Sequence, residues 1–331
     1  MKRTVRLTLV LALAVVLGLA GCTASQPADG PSEQPGDPAV TPAKITIGTL
    51  ATQDSLPLWV ADDKGYFAEA GLPEVEIVTF QSAQESQTAF VSGAVDALMT
   101  DLIVSANLHG SGTPVIVPTV MLGANTGQGR FAIVAAPGSD VTSMTDLAGV
   151  PVGTASATIT EYVLDMLMAE AGVAAADVVK EEVQKMPIRF QLVMSDQLAA
   201  ASLPEPFVTL AELEGATVVP GGDDTKASAN LSQSVLCVNK EYADTAEGGA
   251  AVSALLEAWN AAVSDINADP DAFRTTLVSK AGLPEPLADS YEVSEYPLAA
   301  PPAAADVQKV LDWMDEKGYL QAPVTPADIL P

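Results

Sequence analysis

ITIGTLATQDSLPLWVADDKGYF, residues 45–67, is the stretch from which the rest of the chain can be read. Ile45, Ile47 and Leu50–Ala51, around a lone Gly48, predict a short buried strand. Thr52, Gln53, Asp54 and Ser55 follow, all small or polar, and Pro57 comes two residues later. Side chains that can cap free N–H groups, then a proline in the first turn, predict a helix start. Leu58, Trp59 and Ala61 are the apolar residues of that helix, and Lys64–Gly65 closes it. A strand that runs through a polar loop into a helix N-terminus leaves backbone N–H groups pointing outward. Gln53, Asp54 and Ser55 are therefore candidate ligand contacts, the plainer reading being an ordinary strand–helix unit with a capped helix.

Working outward, the N-terminal side reads as targeting sequence. Lys2, Arg3 and Arg6 precede an apolar run, Leu7–Leu19, that is too short to span a bilayer comfortably. Leu19-Ala20-Gly21-Cys22 resembles a bacterial lipobox, which implies removal of residues 1–21 and lipidation of Cys22. Residues 22–43 hold five prolines among Ser, Gln, Asp and Gly, with no apolar periodicity, and predict a flexible tether.

Removing residues 1–21 leaves 310, enough for two lobes with sizeable cores. It takes away three of the 15 Lys and Arg and none of the 42 Asp and Glu, so the formal charge moves from −27 to −30. Such a surface repels nucleic acid and anionic headgroups, so neither is expected as a partner. No later run reaches the ~20 apolar residues of a membrane helix. With Cys22 committed to lipid, Cys237 has no partner for a disulfide and reads as a small core residue.

Downstream, Glu74–Phe80 alternates as a strand, and Ser82 with Glu85 forms a capping-box pattern ahead of a helix to Val91. A strand at Leu98–Met99 delivers Thr100 and Asp101 to its carboxyl end, where open α/β sheets bind ligands. Asp101 equally suits the cap of a helix over Leu102–Leu108. His109, the one histidine, reads as a helix-end cation. Pro114–Val120 predicts a strand. After the glycine-containing stretch 125–129, Arg130–Val134 reads as a crossover strand with Arg130 facing a cleft, or else as a surface arginine paired with a carboxylate.

From Ser143 the pattern restarts. A strand at Val150–Val152 leads into Gly153-Thr154-Ala155-Ser156-Ala157-Thr158-Ile159-Thr160 and a helix carrying Tyr162, Val163, Leu164, Leu167 and Met168. Four hydroxyl residues at a strand-to-helix junction make Thr154, Ser156, Thr158 and Thr160 a candidate cradle for an anionic or polar ligand. It is not a P-loop, because no Gly-Lys-Ser/Thr follows. Val178–Val183 predicts a strand, and Pro187–Met194 a helix. A small polar break, an apolar strand and Leu203-Pro204-Glu205-Pro206-Phe207 then repeat the plan of Ala89–Asp101. Glu205, held between two prolines, is a further candidate contact or a cap for the next turn. Thr217–Val219 predicts a strand, residues 221–228 a polar loop, and Ser234–Val238 a second crossover strand. Ala250–Ala268 predicts a helix with Trp259 in its apolar stripe, and Asp306–Tyr319 a closing helix. Asp62–Asp63 and Asp223–Asp224 read as surface carboxylate pairs, so no metal site is expected.

The strand, polar loop, LPLWVADDKGYF, Ala70-Gly71-Leu72 and second strand, together with LPEPF, resemble the SsuA/THI5-like (NMT1-like) family of ABC-importer substrate-binding proteins over about Ile45–Leu320. The resemblance implies an α/β, two-lobe type II periplasmic binding protein, each lobe a mixed sheet flanked by helices, joined by two crossover strands. Lobe I would take residues 44–127 and 235–331, and lobe II residues 128–234. It also implies a monomer without cofactor that takes a small molecule, sulfonate-like or thiamine-pyrimidine-like, and docks on ABC permease and ATPase subunits. The protein would be lipid-anchored at the outer face of the bacterial cytoplasmic membrane. The glutamate of LPEPF would lie by the cleft, while Ala199 stands where the family usually has aspartate. The alternative is an enzyme such as the family's thiamine-pyrimidine synthase, which relies on histidine and a cysteine-rich motif; His109 and Cys237 alone do not supply these, so no catalysis is expected. The specific expectation is that Ser156 and Thr158 meet the ligand opposite Gln53–Ser55, with Arg130 as counter-charge.

Overall fold

The computed structural model describes residues 40–331 apart from Pro73, so the expected leader, Cys22 and most of the tether lie outside the described residues. The first sheet begins with β1 (Ile45–Leu50), followed by α1 (Leu56–Lys64), α2 (Tyr66–Glu69), β2 (Val75–Phe80) and α3 (Ala83–Val91). β3 (Ala97–Asp101), α4 (Leu102–Gly110) and β4 (Val115–Leu122) complete its N-terminal part. Gly48 is in β1 because nothing larger fits: a Cβ there would lie 2.7 Å from Leu98 Cδ2.

The second sheet is built from β5 (Phe131–Ala135), β6 (Pro151–Thr154), α5 (Ile159–Glu170), β7 (Val179–Glu182), α6 (Met186–Met194), β8 (Ala200–Pro204), α7 (Phe207–Leu213) and β9 (Thr217–Asp223). The chain then returns to the first sheet as β10 (Ser234–Asn239). It ends in α8 (Lys240–Ala243), α9 (Ala246–Ala268), α10 (Arg274–Lys280), α11 (Ala304–Lys317) and α12 (Pro326–Ile329).

The strand orders are β2-β1-β3-β10-β4 and β7-β6-β8-β5-β9. In each sheet the first three strands are parallel and the fourth is antiparallel to both its neighbours. That fourth strand, β10 or β5, is the one the chain enters on crossing from the other sheet. The two lobes therefore share one plan, the second built from the consecutive strands β5–β9 and the first completed by the returning β10. Parallel order brings the loops after β1, β3, β6 and β8 to the sheets' carboxyl ends, where they can face one another.

Trp259, Leu255, Val263 and Ile266 of α9 are buried in the core of the first lobe. α11 ties the lobes together: Trp313 Nε1 donates to Asp165 Oδ2 of α5 at 3.1 Å, Lys317 pairs with the same carboxylate at 2.7 Å, and Tyr319 donates to Glu161 at 2.9 Å. The stretch from residue 221 departs from the expected loop. Gly221–Asp223 continue β9, and the Asp223–Asp224 pair is buried rather than on the surface. Asp224 accepts from Phe131 N at 2.8 Å, so it serves the backbone where the first crossover strand begins.

Candidate functional site

A cavity between the two sheets is lined from the first lobe by Thr52, Gln53, Asp54, Thr100 and Asp101, and from the second by Arg130, Thr158, Thr160, Arg189 and Glu205. Ser232 and Ser234, at the second crossover, add two hydroxyls. The atom-free space is about 710 Å³, its open mouth included, which suits a small organic molecule. Eight of the residues singled out from the sequence line this cavity: Gln53, Asp54, Thr100, Asp101, Arg130, Thr158, Thr160 and Glu205. Ser55, Thr154 and Ser156 do not.

The β1–α1 loop is a short 3-10 turn, Gln53–Ser55, fixed by its own side chains. Ser55 does not cap α1; its hydroxyl donates to Leu50 O at 2.8 Å and is consumed there. Gln53 Oε1 accepts from Tyr291 and Ser294, and its carbonyl accepts from Tyr296 at 2.6 Å. The amide is thus oriented from the C-terminal segment, a partnership invisible in the local sequence. Asp54 Oδ1 accepts from Thr52 Oγ1. Burial raises the Asp54 pKa, opposed by Thr52 and by Ser234. Ser234 is near enough to act on that carboxyl, yet its buried Oγ forms no well-shaped hydrogen bond.

Asp101 does two jobs at once. Oδ1 caps α4 by accepting from Val104 N at 2.8 Å, and Oδ2 accepts from Ile159 N, the first residue of α5 in the opposite lobe, at 3.0 Å. Burial pushes its carboxyl up to about 6, restrained by those backbone N–H groups and raised further by Asp54. The positive end of α5 is therefore already met by a carboxylate of the protein. This changes the reading of the hydroxyl cradle. Thr158 donates to Ala155 O at 2.7 Å, and Thr154, Thr158 and Thr160 bond among themselves. Ser156 is exposed and turned to Glu182, which accepts from both its N–H and its hydroxyl.

Arg130 lines the cavity with its charge already matched. It pairs with Glu205 at 3.2 Å, Glu212 at 2.9 Å and Asp223 at 3.2 Å. Burial lowers its pKa, but the bond from Glu212 and the charges of Asp223 and Glu205 outweigh this and the value is raised. Glu205 follows the capping alternative as well, accepting from Thr209 N and Thr209 Oγ1 at the start of α7. Burial raises its own pKa, against Thr209 and Arg130.

Arg189 is a charged cavity-lining residue that the sequence reading passed over. It sits in α6 with 1% relative exposure. One bond, Nη1 to Val183 O at 3.2 Å, holds the guanidinium, and the buried Nε has no partner among the described residues. Burial pulls its pKa down to about 10, with Glu182 acting the other way, so the group is cationic at neutral pH. Gly153 makes room for its stem: a Cβ there would lie 3.3 Å from Arg189 Cγ and 2.7 Å from Leu198 Cδ1. A signal was present, since Arg189 shares the buried face of α6 with Met186, Phe190 and Val193. A charge on an apolar helical face is unusual unless something pairs it.

His109, at the end of α4, and Cys237, whose thiol burial pushes up to about 12, lie outside the cavity lining.

Paired mixed sheets, each with an antiparallel fourth strand, around an interlobe cavity define the two-lobe α/β fold of type II periplasmic binding proteins. The chain belongs to the NMT1/THI5-like family, whose profile matches residues 52–273. Among similar solved structures is the alkanesulfonate-binding protein SsuA from Xanthomonas axonopodis pv. citri bound to MOPS, at TM-score 0.74 and 18% identity, covering 88% of this chain and 99% of that one. The periplasmic aliphatic sulphonate-binding protein SsuA from Escherichia coli matches at TM-score 0.67 and 19% identity, covering 84% and 94%. The periplasmic nitrate-binding protein NrtA from Synechocystis PCC 6803 matches at 0.69 and 14%, covering 88% and 87%. The comparison with curated protein sequences gave no match.

Proposed function

We propose that this chain is the solute-binding lipoprotein of an ABC importer and that it captures a small organic anion, sulfonate-like in its head group, between its two lobes. The observation that carries this reading is Arg189: a buried cation with an unpartnered N–H on the wall of the interlobe cavity. An unmatched buried charge is costly, and an entering oxyanion would offset that cost with charge-assisted hydrogen bonds. The sulfonate- and nitrate-binding relatives support the same ligand class.

In this reading the ligand is held by lobe closure. The contacts that would secure the closed form are the Asp101–Ile159 bond and, along the facing edge, Lys185 with Glu85 at 2.8 Å and Met186 N with Gln81 O at 3.4 Å. The lipobox at Leu19–Cys22 supports tethering at the outer membrane face, where a permease would receive the ligand. Among the described residues no helix is long and apolar enough to cross a membrane.

The test is native mass spectrometry of the full chain as purified, followed by calorimetry with alkanesulfonates, alkanoates and nitrate. A co-purified anion, or saturable binding of one of these classes, is expected. Binding of neutral heteroaromatics alone would overturn the anion reading.

A further inference from the structure

The cavity has a second pole. Arg189, on its lobe II wall, forms no ion pair among the described residues, whereas Arg130 is taken up by Glu205, Glu212 and Asp223. On the facing lobe I wall stands Asp54, buried, with Oδ1 occupied by Thr52 and Oδ2 without a hydrogen bond of good geometry among the described residues. Ser234 is beside it, 5% exposed, with its hydroxyl unpartnered. The two poles do not neutralise each other. The groups that act on the Arg189 charge are its burial and Glu182, and those that act on Asp54 are its burial, Thr52, Ser234 and its own backbone. Both line the same cavity from opposite lobes, the guanidinium bonded to Val183 O and the carboxylate to Thr52, and among the described residues no ion pair joins the two. Asp101 lies at the acidic end as well, but both its oxygens already accept backbone N–H groups.

A simple anion satisfies one end of such a cavity and leaves the other unmatched; a simple cation does the reverse. Resting on the anion-binding reading above, we propose that the ligand is bipolar, with an oxyanion against Arg189 and an ammonium or other N–H donor held by Asp54 Oδ2 and Ser234 Oγ. Asp54 is then the residue that separates amino-bearing ligands from plain organic anions. Buried polar groups left unpaired reject the analogue that lacks the matching group far more strongly than an apolar pocket rejects a missing methylene.

The experiment is calorimetry on the full chain with ω-amino alkanesulfonates and ω-amino alkanoates of two to four carbons, each against its unaminated parent. At least one amino probe is expected to bind tenfold or more tighter than its parent. In Asp54→Asn that advantage should vanish while the parent's affinity stays within about threefold, and Ser234→Ala should reduce the advantage in part. If no amino probe exceeds its parent, the bipolar proposal is overturned whatever the absolute affinities. Parents that bind without any amino advantage leave the anion reading standing alone. If neither series binds, both readings fall. Because the wild-type comparison decides by itself, a poorly folded variant does not shield the proposal.

Discussion

Arg130 and Arg189 line the same cavity, and their surroundings are opposite. Arg130 is 24% exposed along its side chain and meets three carboxylates. Arg189 is enclosed, holds one carbonyl, and carries an unpaired N–H. The first cross-links the turn after β8, α7 and β9, and the second would be, on the proposed reading, a charge held ready for a ligand. On the proposed reading Arg189 rather than Arg130 is the ligand group, because its donor is unspent.

The sharpest way to break this contrast is to replace each arginine by methionine, which keeps an apolar stem and removes the charge. Arg189→Met should weaken binding of a sulfonate or carboxylate by about a hundredfold or more, since losing a desolvated charge partner costs roughly 2–5 kcal/mol. The ligand-free protein should melt no lower than wild type, because a buried unpaired charge has been removed. Arg130→Met should do the reverse, lowering stability by roughly 2 kcal/mol, a value reduced from that of a fully buried pair for its partial exposure. Urea melts and calorimetry on both variants decide the matter. A drop in the ligand-free stability of Arg189→Met with unchanged affinity would reverse the assignment.

A gentler test moves Arg189 without removing it. Gly153→Ala places a methyl 2.7 Å from Leu198 Cδ1 and 3.3 Å from the Arg189 stem. Overpacking of this kind costs about 1–3 kcal/mol, and here anion affinity should fall with stability. The equivalent change in the first lobe, Gly48→Ala, meets Leu98 and Phe80 instead and should reduce stability with a smaller effect on affinity.

The smallest effect concerns pH and two buried carboxyls, one of them on the cavity wall. Burial pushes the Asp101 and Asp224 carboxyls up to about 6 in the folded protein, above the ordinary aspartate value of about 3.9. Between these values the folded state binds more protons than the unfolded, so stability rises as pH falls from 7 to 5, by about 1 kcal/mol per group. Asp101→Asn should remove its share of that gain, because an amide does not titrate. An identical pH slope in the variant, measured by urea melts at pH 7 and 5, would show that Asp101 is not the group responsible.

Much of the fold was legible because strand and helix signals are local. The apolar pattern at Ile45–Leu50 and its counterpart at Val150–Val152, each followed by a polar loop and a helix, gave two lobes on one plan. The site was legible only as to place: loops at strand carboxyl ends do line the cavity, through Gln53, Asp54, Thr100, Asp101, Thr158, Thr160 and Glu205. What each side chain has left to offer was not legible, since that depends on what it has already bonded. Ser55 spends its hydroxyl on Leu50 O and Ser156 on Glu182.

The sequence by itself determined the alternation of strands and helices, the acidic charge and the repeated plan, since all three follow from residue order and count. Tertiary structure alone decided which charges are paired. It brought Asp223, 93 residues along the chain, to Arg130, and set Asp101 of one lobe on the first N–H of α5 in the other. It also enclosed Arg189 behind Gly153 with a donor unspent. Pairing is a matter of a few ångströms between distant segments, and no periodicity in the chain encodes it.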